Sequence, residues 1–239
     1  MNKRNVISTV GGEAFWGLAM ALVLSSTVLT VFLREHGAGE TMIGSISSIE
    51  SGAGVMLQFA GLFLFASRRR RKQQALGWHL FAIIPFLFLI GILACAAPRL
   101  PATVVRWGAL IFYGGFVAAA GVVSAAFMDW FAQVFDERVR GTVLGISLCA
   151  AGLAGMGGGV LAGWLIHLRP LPNPYAYLYL GAGLFAVLGI LIYWRVDDSE
   201  LVRMEDAPRP RVEDVMRYIQ ASLADQNFRR FLVSRILAT

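Results

Sequence analysis

Charge is scarce in this chain of 239 residues. Asp, Glu, Lys and Arg make up 15% of it, where a soluble domain carries about 25%. That shortfall argues against water as the main solvent. Cysteine is scarcer still, with two residues. Cys95 and Cys149 both sit in apolar runs, so neither a disulfide framework nor a CxxC metal site is expected. There is no HExxH, no phosphate-binding glycine loop and no cysteine–histidine ligand spacing. No GxSxG elbow or paired intramembrane Asp is visible either. Catalytic, metal-dependent and cofactor-dependent functions are therefore not expected. The net charge is +6, but the basic residues form short runs between apolar stretches rather than a solvated face. A nucleic-acid partner is not expected, and a lipid bilayer is.

Hydrophobic residues make up 57% of the chain, and there are 26 glycines, a residue commoner in membrane helices than in soluble ones. About 20 apolar residues are needed for a helix to cross roughly 30 Å of hydrocarbon. Six stretches meet that length, at residues 13–33, 42–66, 75–97, 103–123, 142–166 and 175–194. Each is too long for a buried strand, and helices satisfy their own backbone groups in lipid. The expected fold is therefore all-α and polytopic, with six transmembrane helices in residues 1–194. The first run is longer than a secretory signal core and lacks a small-residue cleavage site, so it reads as a retained helix.

Lys and Arg set the orientation. With the N-terminus inside, only Arg34, Arg99, Arg106 and Arg169 of the 21 basic residues fall outside. The run Arg68 to Lys72 alone would hold the second and third helices in place. Both termini are expected in the cytoplasm of a cell with this protein in its inner or plasma membrane. Pro170, Pro172 and Pro174 stop the fifth helix. Residues 195–227 read as a cytoplasmic linker, with Val212, Val215, Ile219 and Leu223 at amphipathic helical spacing. Residues 228–239 read as the start of a truncated seventh helix, too short to span.

An ionisable residue inside a span is costly, and each is a functional candidate by default. Glu50 stands well inside the second helix. Beside it runs a stripe of Ser47, Ser51, Gly54, Gln58 and Gly61, spaced for one helical face, either packing glue or the wall of a path. Glu13 opens the first helix, where a carboxylate either steadies the helix N-terminus or binds a cation at an inner gate. His79, beside Trp78, is expected at the headgroup level. Tyr113 precedes Gly114 and Gly115 and either lines a cavity or makes one buried hydrogen bond. Gly155, Gly159 and Gly163 form overlapping GxxxG units, and Gly141 with Gly145 forms another, so close helix packing is expected there.

Three places in the chain resemble the major facilitator superfamily. Gly61, Arg69 and Arg70 match the loop after that family's second helix. The family's acidic position is Phe65 here and its second glycine is Arg68. Asp136-Glu137-Arg138-Val139-Arg140-Gly141, followed by Gly145, is similar to its loop between the fourth and fifth helices. The glycine-dense fifth helix is similar to the family's fifth span, without its Gly-Pro pair. The resemblance covers almost the whole chain as an N-terminal six-helix half. It implies three-plus-three inverted repeats, a second half beyond the linker, and a small-molecule substrate held near the midplane. It also implies a pathway through Glu13, Glu50, Gln58 and Tyr113. Cytoplasmic gating would then involve Arg69 and Arg70, with Asp129 or Glu137 as counter-charges and Arg138, Arg140 and Gly141 nearby.

The function expected on that resemblance is secondary active transport, by symport or antiport, through alternating access. Two alternatives stand beside it: a half-transporter that works as a homodimer, and a non-transporting membrane scaffold or product of a broken gene. Substrate, direction and coupling ion have no signature in the sequence.

Overall fold

A computed structural model of the chain describes residues 2–65, 70–167, 173–199, 213, 217, 220–221 and 224–237. The described residues are helical, with short turns and no strand. Helix α1 runs Lys3–Leu22, a π-helical turn covers Ser25–Leu29, and α2 covers Thr30–Glu35. The side chain of Asn2 caps α1 by accepting from the Arg4 N–H at 3.1 Å, which satisfies a backbone donor that the helix start would leave open. At the other end α2 stops at Gly37, whose φ of 78° puts it in the left-handed region where glycine costs least. The Gly37 and Ala38 N–H groups reach back to the carbonyls of Arg34 and Leu33, a glycine-terminated helix end.

Helices α3 (Glu40–Met56) and α4 (Gln58–Leu64) are separated by a turn at Leu57. Helix α5 (Arg71–Trp78) passes through a π-helical segment, His79–Ile83, into α6 (Ile84–Ala96) and a 3-10 turn at Ala97–Arg99. Pro85 accounts for the irregular turn. It has no N–H, and its ring would strike the carbonyl one turn back in a regular helix. A wider π turn relieves both problems. Helix α7 is Ala102–Val134, α8 is Glu137–His167, α9 is Pro174–Tyr193 and α10 is Gln226–Leu237. Asn173 caps α9, accepting from the Ala176 N–H, with Pro174 at the first helical position, where a missing N–H costs nothing.

Five helical stretches among the described residues are long and apolar enough to cross a membrane: Lys3–Glu35, Arg71–Arg99, Ala102–Val134, Glu137–His167 and Pro174–Tyr193. They match five of the six expected stretches and mostly extend beyond them. The stretch 42–66 differs, because the break at Leu57 divides it into pieces of 17 and 7 residues. The expected loop between the fourth and fifth helices nearly vanishes. Helix α7 continues to Val134 and α8 starts at Glu137, so Asp129 lies in a helix, and Glu137, Arg138, Arg140 and Gly141 all lie in the opening turns of one. In the linker, Val212, Val215, Ile219 and Leu223 lie outside the described residues.

Helix α1 packs against α8 and α9; α6 lies between α9 and α7; α3 and α4 lie on α7. Close approach sets these contacts. A Cβ on Gly17 would run into the Ala151 backbone, one on Gly61 into the Val122 carbonyl, and one on Gly121 into the Gly54 carbonyl. The buried interior is aliphatic, with an aromatic seam of Phe127, Trp130 and Tyr193. His79 belongs to that interior. It is 9% exposed, with Trp16 and Phe127 edge-on to its ring and its Nδ1 2.7 Å from the Ala75 carbonyl. The expected headgroup position is thereby corrected. Outward faces are apolar: Phe81 is 83% exposed and Val160 75%. Large apolar side chains exposed to this degree are what a lipid solvent accommodates.

Candidate functional site

Two carboxylates on helices of the bundle are each held by a tyrosine. In α1, Glu13 accepts a hydrogen bond from the Tyr193 hydroxyl of α9 at 2.6 Å. In α3, Glu50 accepts one from the Tyr113 hydroxyl of α7. Glu50 and Tyr113, read separately in the sequence, are therefore direct partners. Both lie at similar depth. Glu50 is about 15 Å along α3 from Glu40, and Tyr113 about 16 Å along α7 from Ala102, at 1.5 Å per residue. The two helix starts share one end of the bundle, where Arg106 of α7 donates to the Gly37 carbonyl at 2.5 Å.

Glu50 and Tyr113 line a pocket of about 170 Å³ together with Met20, Leu24, Phe116 and Tyr179. The Tyr113 and Phe116 rings stack with centroids 6.2 Å apart. Tyr179 is 1% exposed, and its buried hydroxyl has no hydrogen-bond partner among the described residues. Sequence reasoning missed Tyr179 and Tyr193. The signal was present: Tyr175, Tyr179, Ala182, Ala186, Ile190 and Tyr193 are all buried on α9 and recur at helical spacing. Gln58 does not line the pocket and is exposed at the first residue of α4. The polar stripe divides: Gly54 and Gly61 face α7, whereas Ser47, Ser51 and Gln58 are exposed.

The basic end of the bundle carries its own ties. Arg71 pairs with Asp129 at 3.1 Å and donates to the Phe65 carbonyl. Asp129 is thus a counter-charge to this basic run, through Arg71. Arg70 is exposed just before α5, and Arg69 lies outside the described residues. Glu137 has no ion pair among the described residues and is exposed. Asp136 caps α8 through the Arg138 N–H at 2.9 Å. Arg140 reaches back to the Ala132 carbonyl at 2.5 Å and the Phe135 carbonyl at 3.3 Å, neutralising the carbonyl end of α7 as a cation at a helix C-terminus does.

The chain after α9 is fastened to the same end. Asn5 and Asp197 exchange two hydrogen bonds of 2.8 Å, side chain to backbone in both directions. Lys72 donates to the Val196 carbonyl at 2.6 Å and pairs with Asp198 at 3.5 Å. Asp197 accepts from the Ser199 N–H at 3.1 Å. That bond and one with the Ser199 side chain hold its carboxyl below the usual carboxylate range, with Arg4 and Lys72 adding in the same direction. A cleft of about 680 Å³ opens here, walled by Asn2, Gln133, Asp136, Arg138 and Asp198.

The glycines of α8 need correction. Gly155 lies against Gly17, and the neighbour that makes close contact is Gly158, against the Leu18 carbonyl. Gly159, Gly163, Gly141 and Gly145 have nothing within 4 Å. The packed register is Ala151, Gly155, Gly158 and Ala162, and Gly159 and Gly163 do not belong to it.

A curated protein of Aspergillus flavus, described as MFS-type transporter lnaF, is 25% identical to the chain over 189 residues. The similarity is to a transporter. It covers 78% of this chain and 35% of that protein, so the chain spans about a third of the length of the curated relative it matches. No protein-family model and no solved structure matches the chain. The span-length apolar helices and this similarity together support a multi-pass membrane protein. No group of His, Cys, Asp or Glu suited to a metal ion occurs among the described residues.

Proposed function

We propose that the chain is the N-terminal six-segment half of a major-facilitator-type secondary transporter that moves a small solute by alternating access. The similarity to the transporter of Aspergillus flavus carries this reading, because it runs through 78% of the chain. On this reading the broken segment α3–α4 is the second of six membrane segments, the two groups of three are inverted repeats, and the basic end faces the cytoplasm. Of the pathway candidates, Glu50 and Tyr113 contact the solute side, while Glu13 ties α1 to α9. Arg71, Asp129 and Arg140 steady the cytoplasmic ends of the helices that must move.

Labelling tests the orientation. With Cys95 and Cys149 replaced by serine, a cysteine at position 73 should resist a membrane-impermeant maleimide in intact cells. One at position 101 should react. Labelling of position 73 from outside overturns the proposed orientation. Uptake is tested by screening radiolabelled solutes in cells making the chain with and without a C-terminal six-helix half. Accumulation that is abolished by collapsing the ion gradient supports secondary transport.

A homodimeric half-transporter is the second reading, favoured by the uncovered face of α8. Gly145, Gly152, Gly159 and Gly163 have open space there, Met156 is 70% exposed, and Cys149 is exposed at the same helical spacing. Oxidative cross-linking through Cys149 in native membranes should give a dimer band on this reading and none if another half covers that face.

A further inference from the structure

The pocket at Glu50 has a chemical character that selects a ligand class. Among the described residues its lining carries one carboxylate, Glu50, and no cationic side chain. An anionic ligand would meet a like charge in surroundings of low dielectric, where repulsion is strong. The remaining walls are apolar or aromatic, among them Met20, Leu24 and Phe116. The Tyr113 and Phe116 rings offer faces that attract a cation.

Tyr179 supplies an independent observation. Its hydroxyl is buried and has no partner among the described residues. A buried hydroxyl left unpaired costs about 1–3 kcal/mol, and such groups are nearly always satisfied. The group can accept from an N–H donor through its oxygen. Size narrows the choice. An apolar cavity of about 150 Å³ holds a benzene molecule, and this pocket measures about 170 Å³. A single ring or a short chain fits; a nucleotide does not.

We propose that the pocket formed by Glu50, Tyr113 and Tyr179 binds a small organic cation, a protonated amine with a compact apolar body. The ammonium faces the Glu50 carboxylate, which keeps the Tyr113 hydroxyl as its donor. An ammonium N–H donates to the Tyr179 hydroxyl. The apolar body lies against Met20, Leu24 and Phe116. Calling this ligand the transported solute rests on the transporter reading; its binding does not.

The test is equilibrium binding of radiolabelled benzylamine, a cation at neutral pH, to the full chain in lipid nanodiscs. Binding should saturate at one site. Benzyl alcohol should bind at least about tenfold more weakly, a difference of about 1.4 kcal/mol, and phenylacetate should not compete, because each lacks the positive charge that pairs with Glu50. Glu50→Gln should lower benzylamine affinity at least about tenfold and Tyr179→Phe by about threefold to tenfold. Glu40→Gln, on the same helix but in a surface pair with Arg34, should leave it unchanged. The proposal is overturned if benzylamine does not bind, if Glu50→Gln binds it equally, or if benzyl alcohol binds as well. The ligand series on the unmodified chain decides the matter even where a variant fails to fold. Benzylamine binding without uptake of any solute removes the transporter reading and keeps the site. Uptake of another solute without benzylamine binding does the reverse.

Discussion

Glu13 and Glu50 make the same bond in two different settings. Both are carboxylates on helices of the bundle, and both accept from a tyrosine on a neighbouring helix. Tyr193 is 2% exposed, locked between Phe127 and Trp130, and Gly12 lies directly against its ring. Glu50 is exposed and its tyrosine borders a pocket. Hydrogen bonding alone therefore does not separate a tie from a binding group. What surrounds the bond does: the packed Tyr193 ring makes the Glu13 bond part of the scaffold, whereas the Glu50 bond borders a pocket.

The sharpest way to break this comparison is Tyr193→Phe. It removes the phenol donor from a closely packed carboxylate, and hydrogen bonds to charged groups contribute about 1.5–3 kcal/mol. Unfolding in mixed detergent micelles should show a loss of about 2 kcal/mol, and benzylamine binding should stay as it was. A loss below about 0.5 kcal/mol would mean that the bond is no tie.

Gly12→Ala comes next. An added Cβ would sit 2.5 Å from the Tyr193 ring, so the ring must move and carry its hydroxyl off Glu13. Overpacking of this kind costs about 1–3 kcal/mol, and a loss near 1 kcal/mol is expected because the neighbour is a side chain rather than backbone. Combined with Tyr193→Phe, the two losses should sum to less than their total, since both act on one contact. Full additivity in the same unfolding assay would show that Gly12 acts elsewhere.

Tyr113→Phe should cost less than about 1 kcal/mol in stability, because Glu50 is exposed and an exposed acceptor loses little with its donor. Its effect should appear instead as a benzylamine affinity lowered by about threefold. Equal stability losses for Tyr113→Phe and Tyr193→Phe would erase the distinction between the pairs.

The smallest effect concerns pH at the basic end. The carboxyl of Asp197 is held below its ordinary value of 3.8. A depressed folded-state value means that the turn onto Ser199 is stabilised above the unfolded value and loses that support as pH falls through the folded one. Carbon-13 shifts of Asp197 in nanodiscs should therefore titrate with a midpoint below its ordinary value of 3.8, and Ser199→Ala should move that midpoint upward.

The apolar runs announced most of the fold. Five of six became helices of spanning length, and the Arg and Lys clusters marked the end where Arg71, Lys72 and Arg140 make their ties. The break at Leu57 was not visible, because no proline or cap marks it. It falls between Gly54 and Gly61, which both press on α7 at neighbouring residues, Gly121 and Val122, so its origin is tertiary. The glycines of α8 show a similar limit. Spacing offered the register of Gly155, Gly159 and Gly163, but only contact with α1 reveals that Gly158 faces inward, about 100° around the helix from Gly159. Glu50 was legible as an intramembrane charge; its joining to Tyr113 and Tyr179 depends on the order in which α3, α7 and α9 pack, which no local pattern encodes.

The contact of α1 with α8 places Gly17 beside Ala151, two positions that leave the ribosome far apart in time. At about 5–20 residues per second, roughly seven to thirty seconds separate their synthesis. During that interval the first hydrophobic segment lacks its two main neighbours, α8 and α9. It must wait at the insertion machinery or in lipid, with its glycine groove unfilled, until the fifth and sixth segments arrive. Biogenesis of this bundle is therefore gated by its last-made helices, and slowing translation just before residue 137 should prolong the period in which the first segment is open to proteolysis.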